Sequence, residues 1–197
     1  KTIQESEKLV IGIIQRDLSA LLETEVTVVF FNDKSVEQIA FPDLKNSQLI
    51  DLIVPGTLES MEFAHFLETP ALLKGKLSDS IHDYAFRTDL LRSNCRVTNQ
   101  PDWGDLFVRI STHYEIDLSS LVAYLVSFRK ENHFHEEVVE MIYKRFNDIF
   151  KPEKLMVAAM YTRRGGIDIN PIRVSHKELI DPAFLSTASR LAKTLRQ

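Results

Sequence analysis

The chain has 197 residues, 44% hydrophobic and 26% charged, with a formal net charge of −4. That acidic balance disfavours nucleic acid as a partner, and no run approaches the ~18 apolar residues of a membrane span, so a cytoplasmic, globular protein is expected. One cysteine rules out an intrachain disulfide and an all-cysteine metal site.

Lys1 is not an initiator methionine, and the chain is read as part of a longer protein. From Glu5 to Leu22, the residues Leu9, Val10, Ile13, Ile14, Leu18, Leu21 and Leu22 recur at helical spacing. Val26 to Phe31 is β-branched and aromatic and predicts a strand, as does Gln48 to Val54. Residues 55–80 give no clear assignment. Ile81 to Leu91 alternates as a strand, and Leu106 to Ser111 is another. Asp117 opens a helix that buries Leu118, Leu121, Val122, Leu125 and Val126. A second helix begins near His135, turns Val138, Val139, Ile142, Phe146 and Ile149 inward, and stops at Lys151–Pro152. Leu155 to Thr162 and Ile167 to Val174 are strands joined by Arg163-Arg164-Gly165-Gly166. The order is strand, strand, helix, helix, strand, strand. Helix 5–22 with strands 26–31 and 48–54 echoes the last three elements of that unit, which suggests a repeated antiparallel α+β module.

Four clusters hold the side chains with chemistry. The segment 93–103 contains Cys95 in a polar loop, where Arg96 favours the thiolate; the bland alternative is a connecting turn. Asn132 to Glu137 places His135 and Glu136 at a helix start, with Asn132 read as the N-cap. His133 and His135 point roughly 200° apart on a helix, which disfavours a metal pair, and no metal is expected. Arg163 and Arg164 flank a Gly-Gly turn and suit phosphate. Asp168 and Asn170 alternate on the returning strand. With six glycines and no Gly-x-Gly-x-x-Gly, a bound dinucleotide would lie outside a Rossmann fold.

Taken together, Leu91-Arg92-Ser93-Asn94-Cys95-Arg96-Val97-Thr98-Asn99-Gln100-Pro101-Asp102-Trp103-Gly104, Tyr124 to Arg129, Phe134-His135-Glu136 and Tyr161 to Pro171 closely resemble the signature of the NADPH-dependent 7-cyano-7-deazaguanine reductases. The resemblance is dense over 90–175 and loose over 1–89, in the manner of the two-module form. It implies the tunnelling fold, with tandem ββααββ modules, an antiparallel sheet and helices on one face. Residues 1–80 would be the remainder of an N-terminal module and 81–197 the catalytic one.

The same resemblance implies four-electron reduction of a nitrile to an aminomethyl group, within queuosine biosynthesis, by a homodimer using NADPH. Cys95 matches the nucleophile that forms a thioimide, Asp102 the proton donor, and His135 an active-site imidazole. Glu136 and Phe134 match substrate-binding positions; Arg163, Arg164 and Gly165 are expected at the cofactor. In the two-module form a Glu-Ser-Lys-Ser motif helps hold substrate and cofactor. Lys1 begins just after its place, and Asp117-Leu118-Ser119-Ser120-Leu121 stands at the equivalent place in the second module, without the Glu and Lys. The chain is therefore expected to carry the thiol and to bind NADPH poorly. The rivals are a metal-dependent pterin or purine enzyme on the same fold and a non-catalytic assembly module.

Overall fold

The computed structural model describes residues 2–29, 48–50, 60–180 and 182–185. Two compact units divide the chain, Lys1–Ile39 and Ala40–Gln197. In the first, helix α1 spans Ile3–Leu22. It starts where a capping box can form: Glu5 N–H donates to the Thr2 hydroxyl and Thr2 N–H to Glu5 Oε2. Glu23 ends it with φ 51, in the left-handed region. The expected apolar stripe is present, although no residue of the helix is buried. Residues 25–29 form no strand, contrary to expectation. β-branched residues favour a strand only where a neighbour completes the ladder. Phe30 and Phe31 lie outside the described residues.

The second unit is built on a five-stranded sheet in sequential order. Strand β1 is Gln48–Leu49 and runs parallel to β2; Ile50, the other described residue of the expected strand 48–54, lies outside it. β2 (Gly75–Asn94), β3 (Pro101–Ile116), β4 (Lys154–Tyr161) and β5 (Ile172–Val174) are successively antiparallel. β2 and β3 are longer than the sequence suggested. Bulges between Leu77 and His82 and between Thr88 and Leu91 break the alternation there. β5 is shorter than expected. Pro171 brings no N–H to a ladder, and Asn170 Oδ1 takes the Tyr161 N–H in place of a backbone carbonyl.

Helix α2 (Leu118–Val126) and helix α3 (His135–Phe150) lie between β3 and β4 in the chain. Asp117 caps α2 by accepting from the N–H groups of Ser119 and Ser120. Both helices pack on one face of the sheet. Leu121, Val122, Leu125, Val138, Val139, Ile142 and Phe146 join Leu106, Val108, Ile110, Leu155, Val157 and Ala159 in one core. The opposite face buries Phe107, Met156, Ala158 and Met160 with Phe184. A strand covered on both faces needs a continuous apolar run, which is what β4 has from Leu155 to Tyr161. The ββααββ order expected from the sequence is thus complete over residues 75–174. No described helix is long and apolar enough to cross a membrane.

Phe146 is fully buried between Tyr124 and Phe150. Phe146→Ala is expected to lower unfolding stability by ~3–5 kcal/mol, read from the midpoint of a denaturant titration.

Candidate active site

Every candidate residue sits at one end of the sheet. β2 and β3 are joined there by a loop that opens at Cys95 and closes at Gln100, with Cys95 N–H donating to the Gln100 carbonyl at 2.8 Å. Asn99 turns the chain with φ 57, a conformation asparagine tolerates. The thiol of Cys95 is partly exposed. The Thr98 hydroxyl, then the backbone N–H groups of Thr98 and Val97, stabilise its sulfur as thiolate and lower its pKa. Desolvation and the charge of Asp102 push the other way without cancelling that effect. Thr98→Val removes the largest of these contributions. It is expected to move the pH midpoint of Cys95 alkylation upward and to slow alkylation at neutral pH ~3–10-fold, modest because water also reaches the sulfur. Iodoacetamide rates measured against pH provide the check.

Asp102 follows on β3, opposite Ser93, and is buried with 1% exposure. Its Oδ1 accepts from Arg164 Nε at 2.7 Å and lies 2.6 Å from Nη2 in the same ion pair. Its Oδ2 lies 3.3 Å from His135 Nε2. Arg164 also donates through Nη1 to Gln100 Oε1 at 2.9 Å and through Nη2 to the Pro101 carbonyl. One guanidinium therefore ties the carboxylate to the far end of the Cys95 loop.

His135 is the first residue of α3 and is buried. The helix reaches the site because residues 131–133 extend along the end of β2: Asn94 N–H donates to the Glu131 carbonyl, and His133 N–H to the Asn94 carbonyl. That pairing draws Asn132 away from the cap position assigned to it from sequence. Phe134 is the N-cap residue instead, its N–H donating to Glu137 Oε2 at 2.8 Å. Glu137 is further committed to Arg96, 2.9 Å away. Hydrogen bonding by the Phe134 N–H holds its carboxyl below the usual range. Glu136, one residue earlier, is exposed and has no hydrogen bond or ion pair among the described residues. Phe134 is 45% exposed, with the Arg96 guanidinium 5.3 Å from its ring centre. The start of α3 therefore offers an exposed Glu136 carboxylate and a partly exposed Phe134 ring.

The turn after β4 is a tight one, with Arg164 and Ile167 bridged across Gly165 (φ 56) and Gly166 (φ 82). Those angles suit glycine. Arg163 is held by Asp168 through Nε and Nη2, at distances of 2.6–3.1 Å. Cys95, Asp102, His135 and Arg164 thus surround one end of the β2–β3 hairpin, whereas Arg163 and Gly165 lie on the outer turn. The roles of Thr98 and Arg164 in this cluster were not drawn from the sequence, although both stand inside the motifs that carried the resemblance. Among the described residues, no group of three or more His, Cys, Asp or Glu could hold a metal ion.

Residues 101–179 match the family model for QueF-like proteins. The sequence of the chain is similar to those of NADPH-dependent 7-cyano-7-deazaguanine reductases. It is 38% identical to that of Psychrobacter cryohalolentis over 92% of this chain and 63% of the relative. The values are 42%, 92% and 63% for Psychrobacter arcticus, and 39%, 95% and 64% for Acinetobacter baylyi. The chain therefore spans just under two thirds of the length of these relatives. Among solved structures, the archaeosine synthase QueF-Like in the apo form aligns with 50% of this chain and 95% of its own, at 16% identity and TM-score 0.42.

Proposed function

We propose that this chain supplies the catalytic thiol of an NADPH-dependent reductase that converts the nitrile of 7-cyano-7-deazaguanine to an aminomethyl group. The observation that carries the reading is the pairing of an acidified, accessible Cys95 thiol with a buried Asp102 across one short loop. A nitrile carbon accepts hydride poorly, and covalent addition of a thiolate converts it to a better acceptor. Asp102 takes the Cys95 proton. As sulfur attacks carbon, one nitrile π bond breaks and its electron pair receives that proton on nitrogen, giving a thioimide with no net change in protons. The carbon–sulfur bond breaks after the first reduction and returns the thiol, and the freed imine is reduced in turn. Two hydrides and two protons complete the balance. Hydride is the chemistry that NADPH supplies when bound. His135, 3.3 Å from Asp102, passes protons to that carboxyl. Glu136 accepts hydrogen bonds from the polar edge of the base, and Phe134 packs on its ring.

The residues expected at the cofactor fit unequally. Arg163 Nη1 makes no bond among the described residues, and the positions of Gly165 and Gly166 open onto free space. Arg163 and the turn therefore fit a phosphate. All three nitrogens of Arg164 are taken inside the site, so its work is to hold Asp102. The chain would bind NADPH through Arg163 and the turn, with residues 81–197 as the catalytic module and 1–80 as part of a preceding one.

Absorbance of NADPH on adding 7-cyano-7-deazaguanine tests the proposal. Loss of absorbance that requires the nitrile is the expected result. No loss, together with no covalent adduct on Cys95 in the same sample, would overturn it.

A further inference from the structure

We infer that Tyr161 is a positioning residue for His135, and that position 104 is glycine because a side chain there would occupy the space of the Tyr161 ring. The inference rests on the reading of Cys95 and Asp102 as the reacting pair. Tyr161 is the last residue of β4 and pairs with Gly104 of β3. Its ring lies flat on the His135 imidazole, with centroids 4.0 Å apart and planes 4° from parallel. On Gly104 a Cβ would stand 3.0–3.2 Å from three of the ring carbons, closer than ordinary van der Waals contact. The tyrosine ring is thus held between a backbone with no side chain and an imidazole. It has no room to retreat from either.

His135 has few other restraints. Its Nδ1 is buried and makes no hydrogen bond among the described residues, so none of them fixes the plane of the ring from that side. Its Nε2 reaches Asp102 only at 3.3 Å, too long to hold the imidazole alone. The flat stack sets the ring plane, and the ring plane sets where Nε2 points. The Tyr161 hydroxyl is buried and also makes no hydrogen bond among the described residues, and the aromatic ring is the part that acts on His135. Sequence order hides this arrangement: positions 104, 135 and 161 meet only through the register of β3 on β4 and the placement of α3.

The test uses the full chain in three variants, Tyr161→Leu, Tyr161→Phe and Gly104→Ala. The ring-proton resonances of His135 report the stack directly, since a parallel aromatic ring shifts them upfield; they are assigned by their loss in His135→Asn. The rate of Cys95 adduct formation with 7-cyano-7-deazaguanine reports the chemistry, and iodoacetamide alkylation reports whether the Cys95 loop is intact. Tyr161→Leu should return the His135 resonances toward unstacked values and slow adduct formation ~10-fold or more, the scale expected of a misplaced group. Gly104→Ala should move both in the same direction and by less. Tyr161→Phe, which restores the ring, should restore both readouts. Alkylation should stay within about twofold of the starting protein throughout, as expected for a site that does not share these contacts.

His135 resonances unmoved in both Tyr161→Leu and Gly104→Ala would overturn the inference. So would resonances that move while adduct formation does not, or alkylation that falls in step with adduct formation. Loss of adduct in Tyr161→Phe with unmoved resonances would overturn it too, by placing the work on the hydroxyl. If the unaltered chain forms no adduct, the proposed function fails, and the resonances still decide whether Tyr161 holds His135.

Discussion

Cys95→Ala is expected to leave the fold intact and to remove both the covalent adduct and turnover, a loss of at least ~10³-fold. The fold survives because Cys95 is partly exposed and its loop is closed by backbone bonds, Cys95 N–H to Gln100 and Asn99 N–H to Cys95. A methyl group keeps both. Catalysis does not survive because the sequence offers no other cysteine. Steady-state NADPH oxidation and a melting curve, measured on the same preparation, separate the two effects. Surviving reduction at an unchanged Tm would rule out the thioimide.

The second large effect is expected at Asp102. Asp102→Asn keeps the shape of the side chain and removes its capacity to carry a proton, so adduct formation should slow by ~10²–10⁴-fold, the usual range for a general acid–base group. Substrate binding should persist, because Glu136 and Phe134 sit on a different element, α3. The lost charge leaves Arg164 without its carboxylate. Its side chain is 37% exposed, so water can solvate it and the stability change is expected to be small beside the kinetic one. Stopped-flow measurement of adduct formation across substrate concentrations distinguishes the rate from the affinity. A rate equal to that of the unaltered chain would place the proton on another group.

Local features carried the sequence reading where the signal was local. Asp117 before an apolar period marked the start of α2, and Pro152 marked the end of α3, where Lys151 is the C-cap. Both depend on residues within one turn of the boundary. Contacts between distant residues were not legible. Arg164 looks from its neighbours like a phosphate ligand, yet it finds Asp102 across 62 positions of sequence. The stack of His135 on Tyr161 depends on where α3 docks, which no periodicity encodes. Asn132 has the chemistry of an N-cap and loses the position because Asn94 pairs with its segment. Local propensity yielded in each case to a tertiary contact.

The most direct measurement is the intact mass of the chain after mixing with 7-cyano-7-deazaguanine in the absence of NADPH. Without hydride the thioimide has nowhere to go, so the chain should gain the mass of one substrate molecule, located on the peptide containing Cys95 and absent in Cys95→Ala. An unchanged mass at saturating nitrile, with Cys95 still open to iodoacetamide, would contradict the account.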